Sequence, residues 1–185
     1  MSDKQPKFKT VKSSKITISE LMLPSHSNFS GKIHGGYILS LLDQIAFACA
    51  SKFSGYYCVT ASVDTVNFLN PIEIGELVTM KASVNYVGKS SMIIGVRVEA
   101  ENIRTGVVKH CNSSYFTMVA IGESGEKAIV PGLILSSRDE VRRFYNAVKH
   151  ISLKKEKDLH EEKFDHTTPE ALSQLKYYNV FIDLK

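Results

Sequence analysis

The chain has 185 residues, 43% of them hydrophobic and 23% charged, with a formal net charge of +4. These proportions exclude a disordered chain, and the length suits one domain of ordinary size plus an appendage. The small positive excess is scattered among acidic residues, so no nucleic-acid partner is expected.

Lys4, Lys7, Lys9, Lys12 and Lys15 make the N-terminus locally basic, and residues 1–15 read as a flexible, solvated tail. Ile16 to Leu23 alternates well enough for a short strand, which Pro24 ends. A turn-rich loop follows from Ser25 to Gly36. The next segment, to about Phe53, is apolar almost all the way round, with Asp43 as the one acid in its middle. This spacing predicts a helix buried on nearly every face. Gly55 stops it, and Tyr57 to Leu69 reads as a long strand rich in β-branched residues.

Asn70-Pro71 and Gly75-Glu76 mark a connection. Beyond it, Val78, Met80, Ala82, Val84 and Tyr86 alternate with polar residues, which is the period of a strand with one buried face. Gly88-Lys89-Ser90 turns the chain, and the pattern returns in Met92, Ile94, Val96, Val98 and Ala100. Thr105-Gly106 turns it again into Val107 to Ile121. Links this short make an antiparallel sheet. The fold class is therefore α+β, with a long central helix wrapped by a twisted antiparallel sheet over residues 16–131. A second copy would supply the remaining cover.

Residues 132–185 read as a C-terminal helical extension. Ser136-Ser137-Arg138-Asp139-Glu140 has the form of a helix start. Val141, Phe144, Tyr145 and Val148 lie at helical spacing, fitted to pack on the sheet or on a neighbouring subunit. Lys154 to Glu162 reads as a solvated face or linker, and Thr167 to Lys185 as a final docked segment. Cys49, Cys58 and Cys111 are odd in number and contain no C-x-x-C pair, which argues against disulfides and zinc and fits a reducing compartment. No signal core and no apolar run of ~18 residues is seen, so a soluble cytoplasmic protein without membrane insertion is expected.

The nucleophile-elbow, dinucleotide-binding, P-loop and H-E-x-x-H patterns are all absent, and the six histidines are dispersed, so no metal site is expected. Candidate chemistry lies in the loop and helix. Gly35 and Gly36 at a helix N-terminus expose backbone N–H groups, either to polarise a carbonyl or simply to start the helix. Asp43 in an apolar helix is either catalytic or held by a neighbouring hydroxyl or N–H. Asp43 lies seven positions beyond Gly36, roughly 10 Å along a helix axis. That is too far for both to act on one carbonyl in one chain, and it becomes workable when two helices run antiparallel across a two-fold axis. Asn28 offers an amide to orient a water or serves as turn chemistry. His34 offers a contact to a ligand or to the helix start. Lys89 offers a phosphate contact or is an ordinary hairpin lysine.

Four segments together resemble the hotdog-fold acyl-CoA thioesterases, in the branch of short hexameric acyl-CoA hydrolases. They are MLPSHSNFSGKIHGGYILSLLDQIAFACA (Met22 to Ala50), VTASVDTVNFLNPIEIGE (Val59 to Glu76), VNYVGKSSM (Val84 to Met92) and SSYFTMVAI (Ser113 to Ile121). The resemblance implies a hotdog domain that hydrolyses acyl-CoA to a free acid and CoA. No cofactor is implied, because CoA belongs to substrate and product. It implies a homo-oligomer built from dimers, a hexamer as trimer of dimers, with loop Asn and helix Asp from opposite subunits.

Carried over, Asp43 is general base or nucleophile, Asn28 of the other subunit positions water, and the N–H of Gly36 polarises the thioester carbonyl. His34, Gly35 and Ser62 fall in the implied substrate site, and Val87, Gly88, Lys89, Ser90 and Ser91 meet the pantetheine or phosphate end of CoA. The chain departs from the family at Gln44, where Glu is usual, and the region after about Ser152 has no counterpart in the pattern. Two other readings compete: a hotdog hydratase of enoyl or 3-hydroxyacyl thioesters, and a non-catalytic acyl-CoA sensor. No helix His accompanies Asp43, which counts against the first, and no helix-turn-helix domain is evident for the second.

Overall fold

The computed structural model describes residues 7–161 together with Thr168, Ser173, Tyr178, Val180 and Phe181. Structure begins earlier than the expected flexible tail allows. Strand β1 (Phe8–Thr10) leads straight into a one-turn helix, α1 (Val11–Ser14), in which Val11 and Ser14 are buried. Ser14 Oγ accepts the N–H of Val84 at 3.0 Å, and Lys9 Nζ donates to the Phe53 carbonyl at 2.7 Å. These lysines looked solvated in the sequence. Lys9 instead places its charge near the negative end of a long helix, where the macrodipole favours it.

Strand β2 (Ile16–Leu21) is followed, after the loop, by the central helix α2 (Gly35–Ser54). His34 is its N-cap, and Gly55, at φ 79°, closes it in the left-handed conformation that glycine adopts without steric cost. Ile38, Leu42, Ile45, Ala46, Cys49, Ala50 and Phe53 line its buried face. Each large apolar side chain buried there contributes roughly 1.5–3 kcal/mol. Burial pushes the Cys49 thiol up to about 12, so it packs as a neutral group.

Strands β3 (Tyr57–Val63), β4 (Glu76–Val87), β5 (Ser91–Asn102) and β6 (Val107–Ile121) complete a five-stranded antiparallel sheet in the order β2-β4-β5-β6-β3. Their inward residues, among them Met80, Val84, Ile94, Val98, Phe116 and Met118, cover the buried face of α2. The expected long third strand is shorter, ending at Val63. Beyond it the chain leaves the sheet, held by Asp64 N–H to Tyr115 O and Leu69 N–H to Cys111 O.

One further expectation changes. Gly132–Ile134, assigned by sequence to a helical extension, is strand β7 and pairs in parallel with β1. Parallel pairing of two short segments gives no local sequence signal. The helix that follows, α3 (Arg138–Glu161), starts as expected, with Ser137 Oγ accepting from Glu140 N–H and Glu140 reaching back to Ser136 N–H. Phe144 packs on Tyr86 and Ala147 is buried, whereas Val141 and Tyr145 are exposed. The chain separates into two units, Met1–Ala147 and Val148–Lys185. Within the second, Leu153 is exposed and Ser152 Oγ bonds back to the Val148 carbonyl. Nearly all of the docked segment expected after Thr167 lies outside the described residues. Among those described, no helix is long and apolar enough to cross a membrane.

Candidate active site

Asp43 is not buried within one chain. Gly36, Leu39, Ser40, Asp43, Gln44 and Phe47 form an exposed strip along α2, opposite its buried face. The apolar periphery implied cover on every side, but the sheet of one chain curls around only part of the helix. The strip lies beside β3, the edge strand of the sheet, whose outer side has no strand partner among the described residues.

Thr60 on that strand donates its hydroxyl to Asp43 Oδ1 at 2.6 Å. A register shift between Thr60 and Ser62 against β6 locally bends the strand there, and bulges of this kind re-aim side chains. Asp43, Thr60, Phe47, Tyr57 and Val59 border an open groove of about 600 Å³. The groove is polar at the carboxylate and apolar beyond it, where Phe47 and Tyr57 meet edge to face at 5.5 Å. Thr60 escaped the sequence reading because an edge-strand threonine looks like ordinary β-propensity. Only its pairing with Asp43 marks it.

The Asn28 loop forms a second, separate groove of about 310 Å³, with Ile33, Gly35, Ile38, Phe68 and Ile72 around it. Asn28 Oδ1 accepts from Ser30 N–H, Ser30 Oγ and Lys32 N–H at 2.7 to 3.1 Å. Turn chemistry therefore consumes the amide oxygen. The Nδ2 group has no acceptor among the described residues and is available to a water or a carbonyl. Next to it, Phe29 stands fully exposed, at 113% of its reference area. A phenyl ring left in water forfeits about 1.5–3 kcal/mol of burial.

At the start of α2, His34 Nδ1 accepts the N–H of Gly36 at 3.0 Å. The donor assigned to the thioester carbonyl is thus engaged in this conformation, and His34 acts as the helix cap. The N–H of Gly35 has no partner among the described residues. A Cβ at Gly35 would sit 3.4 Å from the Phe68 ring, so the glycine keeps the groove floor open.

The turn from Val87 to Ser91 is tied down by Gly88 N–H to Ser91 O at 2.8 Å and by Val130 N–H to Lys89 O at 3.1 Å. The Lys89 side chain is exposed. Ser91 pairs with Val119, which pairs with Val59. The turn is therefore level with Thr60's neighbour two strands away, roughly 10 Å across the sheet. Ser62 lies on β3 opposite Thr117, half-buried. One chain thus brings Asp43, Thr60 and the 87–91 turn to one level and leaves Asn28 and Gly35 in a different groove.

A helix wrapped by a five-stranded curled antiparallel sheet is the architecture of a hotdog-type fold. Residues 30–107 match the family model described as "Thioesterase superfamily". Relatives include the VdlD protein of Helicobacter pylori, 39% identical over 78% of this chain and 83% of its own. Another is a Bacillus subtilis protein described as an uncharacterized acyl-CoA thioester hydrolase, 30% identical over 85% of this chain and 91% of its own. The chain belongs to the thioesterase superfamily.

Among solved structures, a hexameric acyl-CoA thioesterase superposes with a TM-score of 0.80 at 31% identity, covering 83% of this chain and 98% of its own. A Staphylococcus aureus acyl-CoA hydrolase, in complex with butyryl-CoA, CoA and CoA disulfide, gives 0.78 at 28% identity, over 84% and 95%. The same hydrolase has also been solved with an Asp, an Asn or a Thr replaced by alanine.

Proposed function

We propose that each active site joins Asp43 and Thr60 of one copy to the Asn28 loop and the N-terminus of α2 from another. The protein is an acyl-CoA thioester hydrolase. The observation that carries the shared site is the split geometry: the acid and the loop amide occupy separate open grooves on the same chain. An antiparallel pairing of the exposed α2 strips, with β3 edges alongside, brings one groove to the other and covers Leu39, Phe47 and Val59. Two such edges joined remove an exposed template for aggregation.

In this site Asp43 takes a proton from a water that attacks the thioester carbonyl carbon. The Asn28 amide orients that water, and the free backbone N–H of Gly35 at the start of α2 receives the charge growing on the carbonyl oxygen. Collapse of the tetrahedral intermediate breaks the C–S bond and expels CoA thiolate, a leaving group stable enough to need little acid assistance. The 87–91 turn, with Lys89, meets the phosphate-bearing end of CoA, and no cofactor is required. Thr60 holds the carboxylate oriented by its hydroxyl. The hexameric relative supports a trimer of such dimers here, and a human relative described as a cytosolic acyl coenzyme A thioester hydrolase, 30% identical over 85% of this chain and 42% of its own, supports a cytoplasmic location. Capture of an acyl-Asp43 anhydride by hydroxylamine would reassign Asp43 as the nucleophile.

The experiment is thiol release from a series of acyl-CoAs by wild type and Asp43→Ala. Hydrolysis by wild type and a loss of at least about a hundredfold in the variant are expected. Tight binding without turnover would instead make the protein a sensor.

A further inference from the structure

The ring of Phe29 is more exposed than any other large apolar side chain among the described residues, so it packs on nothing in its own chain. The loop that carries it is nevertheless closely tied. Besides the three bonds to Asn28 Oδ1, Asn28 N–H donates to Lys32 O at 2.7 Å and Gly31 N–H to Asn28 O at 3.0 Å. Lys32 Nζ meets both oxygens of Glu73, at 2.6 and 2.7 Å. At the neck of the loop, His34 N–H donates to His26 O at 2.8 Å, and the His26 ring stacks on Tyr37 at 4.0 Å. Tyr37 in turn donates its hydroxyl to Glu20 on β2. A closed loop anchored at both sides thus holds a bare phenyl ring away from its own chain.

A surface suited to that ring lies in the Asp43 groove. Asp43 is the only charged residue lining it, and Phe47, Tyr57 and Val59 are exposed along its far end. Phe47 stands four positions past Asp43, roughly 6 Å further along the axis of α2. When two α2 helices pair antiparallel with Asp43 of one level with the N-terminus of the other, Phe47 comes level with the chain just before that N-terminus. That chain is the loop carrying Phe29.

We infer that Phe29 of one copy enters the apolar end of the other copy's Asp43 groove, against Phe47 and Tyr57, and forms the wall on which the substrate's acyl chain ends. The inference rests on the shared-site reading of the function. The carboxylate end of the groove takes the thioester, and the aromatic end takes the chain, whose burial with the ring removes apolar surface from water. Phe29 is therefore a specificity residue supplied across the interface, and its size limits the acyl length accepted.

The test is the kcat/KM profile of the full-length protein for straight-chain substrates from acetyl-CoA to palmitoyl-CoA. Wild type is compared with Phe29→Ala, Phe29→Leu and Phe29→Trp, and sedimentation checks that each variant keeps the wild-type assembly. Phe29→Ala should move the optimum to longer chains and raise the long-to-short ratio at least about tenfold, since each methylene newly buried gives about fourfold. Phe29→Leu should fall between, and Phe29→Trp should move the optimum to shorter chains; these two carry the test if Phe29→Ala fails to assemble. A profile of unchanged shape in the assembled variants overturns the inference. So does an equal rise in KM at every chain length, which would place the ring on pantetheine. Asp43→Ala is run alongside: hydrolysis that survives in it overturns the shared-site reading itself, which keeps the two failures distinct.

Discussion

Thr60 Oγ1 lies 2.6 Å from Asp43 Oδ1, a bond that spans the gap between the edge strand and the central helix. It fixes one carboxylate oxygen of a side chain that borders the open groove. A hydroxyl donating to a carboxylate is worth about 1.5–3 kcal/mol. Thr60→Val keeps the shape and removes the donor. It should lower kcat roughly ten- to a hundredfold with little change in KM, because a misoriented base weakens the transition state more than substrate binding. Steady-state thiol release across acyl chain lengths checks this, and a rise in KM alone would make Thr60 a binding residue.

Subunit complementation tests the shared site directly. Asn28→Ala and Asp43→Ala should each be inactive when pure. Co-refolded one to one, they form mixed dimers in which one of two sites carries both native groups, which restores about a quarter of wild-type activity. Two inactive proteins that stay inactive after verified mixing would place both groups in a single chain.

The N-terminal segment should matter for stability. Removing residues 1–15 exposes the surface under Val11, breaks the Ser14 bond to Val84 and frees the C-terminus of α2 from Lys9. About 2–4 kcal/mol should be lost, from one buried side chain and two or three buried hydrogen bonds. Thermal unfolding would show it as a fall of several degrees, whereas a solvated tail would leave the midpoint unchanged.

Glu99 gives a pH dependence. Lys81, and then Arg97, hold its carboxyl at about 2, well below the ordinary carboxylate value of 4.5. A lowered folded-state pKa means that the stabilisation is fully present above about pH 4.5 and is lost as pH falls towards 2. Wild type should exceed Glu99→Gln in stability by about 0.5–1 kcal/mol at pH 7, the scale of partly exposed ion pairs. The difference should close between pH 4.5 and 2, as read by urea unfolding at each pH.

The helix from Gly35 to Ser54 and the three long strands after Glu76 were legible in the sequence because each carries its own period and its own stop signal. Gly55, Gly88 and Gly106 end elements by local chemistry that needs no tertiary context. Asp43 stood out as an acid at odds with its apolar surroundings, whereas Asn28 and Gly36 fitted ordinary turn and helix-start chemistry and were marked by the family resemblance. Thr60 did not, since a threonine in a strand contradicts nothing. The short β1 and β7 were also hidden: three residues carry no period, and their pairing joins positions more than a hundred residues apart.

The sequence by itself determined a long apolar helix with one acid, an antiparallel sheet to wrap it, and a loop too far along the chain to share a site with that acid. Tertiary structure decided how completely the helix is wrapped. The sheet of one chain ends at β3 and leaves the strip through Asp43 open, because five strands curl around only part of a helix. The acid that looked buried and anomalous is therefore exposed and held by Thr60, and in the proposed assembly a second copy would supply its cover.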